Sequence, residues 1–345
     1  MDAMDTQIKS IAAGVAAGGA GDGGHRGRRA LAGRLGKARK FLLGSHGKKG
    51  ALPLALVYVV LASLGFVFIL PVLRMLVSAF MTPADLVDPK VIWVPTQLYW
   101  QNVATAVRVL RYGEGLFVSF MLSAAPALLQ TACTALAGYA FGRYEFPLKK
   151  LWLAMAVLFY MIPMQVTTVP RYILFLGYGI VNTPWSVYLP AMFGQGLKSS
   201  IFILIFYQFF RNYPKSLDEA AEIDGCGRFR VFLRIALPMS GPAMVISVIF
   251  SVVWYWNETT QMALFMGNSG ARSLFGVSVS TLQTLPLRIA TFANRFTAEM
   301  GANTKLPDAV SLAGALLAIA PVLILYLVLQ RQFIESVERS GITGE

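Results

Sequence analysis

The sequence predicts an all-α integral membrane protein: six transmembrane helices, with a cytoplasmic helix–turn–helix before the fifth. Two features of composition and one of charge point there. The 345-residue chain is 56% hydrophobic and only 14% charged, whereas soluble domains run near one quarter charged. Its apolar residues fall in runs long enough to cross a bilayer, which takes about 20 residues at ~1.5 Å of rise each. Its basic residues gather in segments that separate those runs.

The runs extend, in order, from Leu52 to Phe80, Leu116 to Phe141, Leu151 to Phe175, Trp185 to Phe210, Met239 to Met266 and Ala309 to Phe333. The fourth is interrupted by Gln195 and Lys198. Gly65, Pro71, Pro126, Pro163, Pro170 and Pro190 lie inside the runs, and membrane bundles tolerate such residues better than soluble helices do.

Charge sets the orientation. The formal net charge is +13, and ten of the 30 Lys and Arg residues precede residue 50, against Asp2, Asp5 and Asp22. A basic segment beside a span marks the cytoplasmic side. Arg143, Lys149 and Lys150 lie between the second and third runs; Arg211, Lys215, Arg228, Arg230 and Arg234 lie between the fourth and fifth. Six spans put both loops and both termini on that one face. On the other face Asp85, Asp88 and Glu114 cancel Lys90, Arg108 and Arg111. The positive charge therefore reads as topology, not as a nucleic-acid surface. Residues 1–50, rich in Gly, Ala and Arg, read as a disordered basic cytoplasmic tail, and residues 51–345 as the transmembrane domain. Arg28-Arg29 does not read as an export signal, because the apolar run begins well downstream, is too long and lacks a small-residue cleavage site.

Several chemistries are excluded. Cys133 and Cys226 fall in a span and a cytoplasmic loop, and neither has metal spacing; His25 and His46 both lie in the tail. The body thus offers no His-based metal site or catalytic triad. A phosphate-cradling glycine loop is also missing: Gly196-Leu197-Lys198-Ser199 lacks the spacing. An enzyme reading is left with almost nothing to rest on. Ion-coupled transporters hold carboxylates deep in their helices, yet no Asp falls in any run, and only Lys198 and Glu258 lie well inside one, with Arg74 and Arg171 near ends. A driving energy supplied from outside this chain fits better.

The loop over residues 212–238 is the most informative segment. Ser216 and Glu219 have capping-box spacing; Leu217, Ala220, Ala221 and Asp224 recur at helical intervals; Gly225 suits the left-handed residue that ends a helix. Phe229, Phe232 and Leu233 then make an apolar face among Arg228, Arg230 and Arg234, and Pro238 is expected to stop the second helix. Such a helix–turn–helix suits docking on another protein, or an amphipathic segment lying on lipid headgroups.

Here the sequence resembles a family. Glu219-Ala220-Ala221, three residues, Gly225, nine residues, then Ile235, Leu237 and Pro238 reproduce the coupling-loop signature of the membrane subunits of bacterial binding-protein-dependent ABC importers. Met161-Ile162-Pro163, Gly179-Ile180-Val181-Asn182-Thr183, Phe209 through Lys215, Trp256-Asn257 and Gln330-Arg331-Gln332-Phe333 are similar to the carbohydrate-uptake branch, notably the smaller maltose-type permease subunit. The departures are Glu258 after Trp-Asn, the long tail, and Lys198 in a normally apolar stretch.

The resemblance implies a multi-pass subunit of the bacterial inner membrane. It would form half of a translocation path for sugars or oligosaccharides, with a second homologous permease, two ATPase subunits and an external substrate-binding protein as partners. ATP and Mg would be bound by the ATPases, leaving no cofactor in this chain. Glu219, Ala220, Ala221, Asp224, Gly225, Phe229, Ile235, Leu237 and Pro238 would form the ATPase-coupling surface. For the substrate path the candidates are Trp254, Tyr255, Trp256, Asn257, Glu258, Gln165, Gln195 and Lys198, since aromatic faces and planar polar groups hold sugars. Ordinary packing for the aromatic cluster, helix–helix hydrogen bonding for Gln165 and a near-surface Lys198 stand as the alternatives. A peptide or amino-acid permease, a secondary transporter or a channel are the rival functions.

Overall fold

The structure, a computed structural model, describes residues 44–45, 48–270, 272–302, 304 and 306–341. Most of the predicted tail, including His25, His46 and Arg28-Arg29, lies outside the described residues, as do the side chains of Gln332 and Phe333. The chain forms two compact units, residues 1–73 and 74–345. The first holds a short antiparallel hairpin, β1 (Gly44–Ser45) with β2 (Lys48–Lys49), and the opening turns of helix α1 (Ala51–Ala79). From Leu52 to Ile69 the large apolar side chains of α1 are exposed, Phe68 at 77%. Such a surface requires an apolar surround.

The second unit is built on α4 (Tyr112–Arg143), preceded by α2 (Pro83–Val87) and α3 (Gln101–Leu110). A capping box starts α2: Thr82 Oγ1 accepts from Asp85 N, and the Asp85 carboxylate accepts from Thr82 N. Asn102 then donates to the carbonyls of Ala79 (3.1 Å) and Met81 (2.8 Å), which closes the end of α1.

Three of the predicted spans are segmented. The third run becomes α5 (Lys149–Met161) and α6 (Met164–Gly177), bent by 98°. Pro163 supplies the cause, since it has no N–H to donate and holds Ile162 in an extended conformation. The fourth becomes α7 (Trp185–Met192) and α8 (Ser199–Asn212), separated by a loop in which Gly194 (φ 67°) and Lys198 (φ 53°) are left-handed. In place of the fifth, α12 (Gly241–Asn257) is followed, after extended Glu258, by α13 (Thr260–Met266). Among the described residues, three helices are long and apolar enough to cross a membrane: α1, α4 and residues 308–331 of α16 (Asp308–Gly341). The number rises to five if each of two bent pairs counts as one span.

Helix α4 packs against α7, α8 and α12. Gly138 and Gly142, four residues apart, form the seam with α8. A Cβ at Gly138 would overlap Phe206, and one at Gly142 would lie 2.9 Å from Phe210 Cβ. Small residues at this spacing let helix backbones approach closely where lipid gives no hydrophobic drive. Tyr139 extends the seam, its ring 5.2 Å from Phe210 and 5.1 Å from Phe232.

After α13, β3 (Arg272–Leu274) and β4 (Val277–Val279) form a hairpin, followed by α14 (Leu285–Ala290) and α15 (Phe292–Met300). Arg288 ties this segment to α4. Fully buried, it donates to Glu114 Oε1 (2.9 Å) and to the Leu110 carbonyl (2.8 Å), while Glu114 also accepts from the Ser280 hydroxyl at 2.7 Å. Arginine suits such a place because its five donors can all be satisfied at once. Burial nonetheless draws the Arg288 guanidinium below its ordinary pKa, with Glu114 opposing the shift.

Candidate functional site

The signature segment follows α8 directly. Helix α9 (Lys215–Ile223) starts behind Pro214, whose ring pre-sets the entry angle. No side chain caps it, so the expected capping box of Ser216 and Glu219 is absent. Pro214 occupies the N-cap place, and Ser216 falls inside the first turn. The end of α9 follows the glycine expectation. Gly225 sits at φ +81°, its N–H donates to the Glu222 carbonyl (3.0 Å), and Cys226 N donates to Ala221 O (2.9 Å). This pair of bonds is the Schellman arrangement.

The second helix departs from expectation at its far end. It runs from α10 (Arg228–Val231) through a wide π-type turn (Phe232–Ala236) into α11 (Leu237–Met239), so Pro238 lies within the helical run. Leu237 N donates to Phe232 O, five residues back. The wide turn absorbs the proline, whose missing N–H would otherwise leave a gap. The direction changes instead at Ser240, by 79° into α12.

What positions the segment is a polar cluster that sequence reasoning missed. Arg143 Nε meets Asp218 Oδ2 at 2.6 Å, and its other nitrogens donate to the carbonyls of Tyr213 (2.9 Å) and Pro214 (3.1 Å). The guanidinium also lies over the Tyr213 ring at 4.5 Å. Asp218 further accepts from the hydroxyls of Tyr213 (2.9 Å) and Tyr139 (3.3 Å). Burial and the Asp218 hydrogen bond push the Tyr213 phenol up to about 12. The only sequence signal was Arg143 itself, read as a topology charge; its partner is 75 residues away.

The signature residues divide between two faces. Ala221 is buried; Ile235 and Leu237 are half-buried; Glu219, Ala220, Asp224, Gly225 and Pro238 are exposed. Ile223 is 86% exposed and Phe229 63%, with Leu217 and Leu233 exposed beside them. Phe232, expected to share the face of Phe229, is buried against Tyr139 instead.

The second gathering of polar residues surrounds the breaks in the helices. Tyr255, 2% exposed, donates to Gln130 Oε1 (2.6 Å) and accepts from Leu197 N (3.2 Å); Gln130 Nε2 donates to Leu197 O (2.7 Å). This lock holds the loop between α7 and α8. Gly196 makes it fit, because a Cβ there would overlap both Gln130 and Tyr255. Beyond the loop opens a cleft of about 550 Å³, lined by Gln195, Lys198, Arg171, Thr167 and the aromatic rings of Trp152 and Tyr160. Lys198 Nζ lies 4.5 Å from the centroid of Trp254.

The predicted path residues therefore separate. Gln195 and Lys198 line the cleft, and Trp254 meets Lys198 beside it. Tyr255 serves the buried lock, and Trp256 packs in the core with Leu110, Leu285 and Phe292. Asn257, exposed, bonds its own helix at Val253 O (2.9 Å). Glu258 accepts from Gln261 N (2.9 Å) at the start of α13. Gln165 is exposed on α6 and does not line the cleft.

Residues 134–339 match the model of the binding-protein-dependent transport system inner membrane component family, and the chain belongs to that family. It is 28% identical over 279 residues to the probable ABC transporter permease protein YurM of Bacillus subtilis (strain 168), covering 79% of this chain and 83% of that protein. It is 24% identical to the arabinooligosaccharides transport system permease protein AraQ of Halalkalibacterium halodurans, over 82% of this chain and 94% of that one. Among solved structures, a bacterial ABC transporter involved in the import of the acidic polysaccharide alginate aligns with a TM-score of 0.62 at 13% identity, covering 81% of this chain and 95% of that chain; this likeness concerns the fold. The protein is a helical, membrane-integral transport component and not an enzyme. Its family acts with an ATPase and a substrate-binding protein.

Proposed function

We propose that this chain is a permease subunit of an ATP-driven importer of sugars or oligosaccharides, and that residues 216–238 couple it to the ATPase subunits. In this reading a second homologous permease completes the path, two ATPases hold ATP and Mg, and an external binding protein delivers the substrate. Six passes, with α5–α6 and α7–α8 each forming one broken pass, leave both termini and the 1–50 tail in the cytoplasm. The relatives' carbohydrate names support the substrate class.

One observation carries the coupling role. The same short segment is fastened inward by Asp218 and Ala221 and turns Ile223 and Phe229 outward. An unpartnered apolar pair on a rigid support suits a protein groove, with Glu219 and Asp224 as its polar rim. Closure of the ATPases would move this segment and, through Arg143, the end of α4. Both belong to one packed body, which favours movement between discrete states over gradual bending.

The test is purification of the tagged chain from its native membrane in mild detergent, with its companions identified by mass spectrometry. An ATPase together with a second, non-identical permease is the expected result, and loss of the ATPase from an Ile223→Asp/Phe229→Asp variant would assign the contact. A chain that purifies alone and moves solute without ATP would refute the reading.

A further inference from the structure

Arg171 and Lys198 face the same cleft from different elements, α6 and the residue that enters α8. Among the described residues, neither side chain forms an ion pair or a hydrogen bond. Both fall in apolar runs of the sequence, Arg171 half-buried on α6 and Lys198 exposed at the end of the loop before α8, the near-surface place that was its alternative. A charge there is expensive, on the order of 2.5–3.5 kcal/mol on insertion scales, and ordinarily marks a wet path with a partner.

The nearby acid does not fill that role. Glu258 lines a small adjoining pocket with Arg171, but it is engaged with Gln261 N and forms no ion pair. Lys198 has only the Trp254 ring, a contact that leaves its three donors free. The loop that carries Lys198 is held by the buried Gln130–Tyr255–Leu197 lock, so the cation is presented in one place. Trp152, Phe159 and Tyr160 also line the cleft, rings suited to the C–H faces of a sugar. At about 550 Å³ the cleft falls in the range that encloses small organic ligands.

We infer that this cleft takes a saccharide bearing anionic oxygens, a uronate carboxylate or a sugar phosphate, with Arg171 and Lys198 as its counter-charges. The planar fork of Arg171 suits two oxygens at once, and Lys198 adds a point charge. A neutral sugar would leave both cations without a counter-charge in the cleft, so the pair favours an anionic saccharide over it. This inference rests on the saccharide-import reading above and narrows its substrate.

The experiment is uptake by source cells lacking this gene, complemented with the wild-type chain, Arg171→Gln, Lys198→Gln or Arg171→Lys. The probes are labelled disaccharides in matched neutral and uronate forms, together with sugar phosphates. The expected result is restoration of one anionic class by the wild type. Each Gln variant should lower its uptake about tenfold, the worth of one charge-assisted hydrogen bond, while membrane abundance is unchanged and Arg171→Lys lies between. Uronate uptake would identify the carboxylate, and sugar-phosphate uptake the phosphate. Restoration of neutral saccharides alone would overturn the inference and leave the import reading standing. Anionic uptake at full rate in both Gln variants would also overturn it. If no saccharide's uptake depended on the gene, both would fall.

Discussion

The Arg143–Asp218 contact makes the sharpest test of how the signature segment is held. Consider Asp218→Ala. Arg143 is 3% exposed and Asp218 15%, so the change leaves a buried guanidinium without its carboxylate and two tyrosine hydroxyls without an acceptor. Removing one partner of a buried ion pair costs about 3–5 kcal/mol. Arg143 keeps the carbonyls of Tyr213 and Pro214, which places the loss near the lower figure. At 1.4 kcal/mol per factor of ten, the segment's docked-to-undocked ratio should fall on the order of 100-fold. Hydrogen exchange reads this directly: amides of residues 215–226 should lose protection, while those of α4 around Gly138 keep theirs. In proteoliposomes containing the assembled transporter, solute moved per ATP hydrolysed should fall as well. A cycle with Arg143→Met separates the pair from its surroundings, because the double variant should be less damaged than the sum of the singles. Unchanged exchange in Asp218→Ala would refute the anchoring role, whatever happened to transport.

Three further outcomes are expected. Gly225→Val puts a β-branched residue at φ +81°, where the left-handed conformation costs about 1–2 kcal/mol; insertion should persist while uptake is lost, and retained uptake would contradict the role given to this turn. Gly196→Ala should lower the detergent melting temperature more than Tyr255→Phe, since its Cβ overlaps both Gln130 and Tyr255 whereas the phenylalanine removes only hydrogen bonds; thermal scans of the three proteins decide it. At Asp85, burial raises the carboxyl pKa, but hydrogen bonds from Thr96 and Thr82 outweigh it and leave the pKa below its usual value. A lowered folded-state pKa contributes stability above the unfolded value, near 4, and loses it as pH falls through the folded one. The Asp85→Asn protein should therefore show a flatter loss of stability below about pH 4 than the wild type in an acid titration.

The membrane class, the first, second and sixth apolar helices, and the left-handed glycine at 225 were legible in the sequence. Each depends on local rules: run length against bilayer thickness, and the absent Cβ that frees glycine's φ. Family membership was legible too, because the signature is a matter of spacing along the chain. The break in the third run was signalled by Pro163 and the loop in the fourth by Gly194, while the break of the fifth at Glu258 carries neither proline nor glycine; hydropathy averages over such points and reads the flanking helices as one.

Only the tertiary structure decided which polar residues work together. Asp218 finds Arg143 across 75 residues, and Tyr255 finds Gln130 across 125. Neither pairing leaves a periodic trace, since each joins residues on helices far apart along the chain. The run Trp254–Glu258 shows the same limit. Consecutive helical residues point about 100° apart, so five neighbours in sequence were bound to face different surroundings. Packing sent Trp254 to a lysine, Tyr255 to a buried lock and Trp256 to the core.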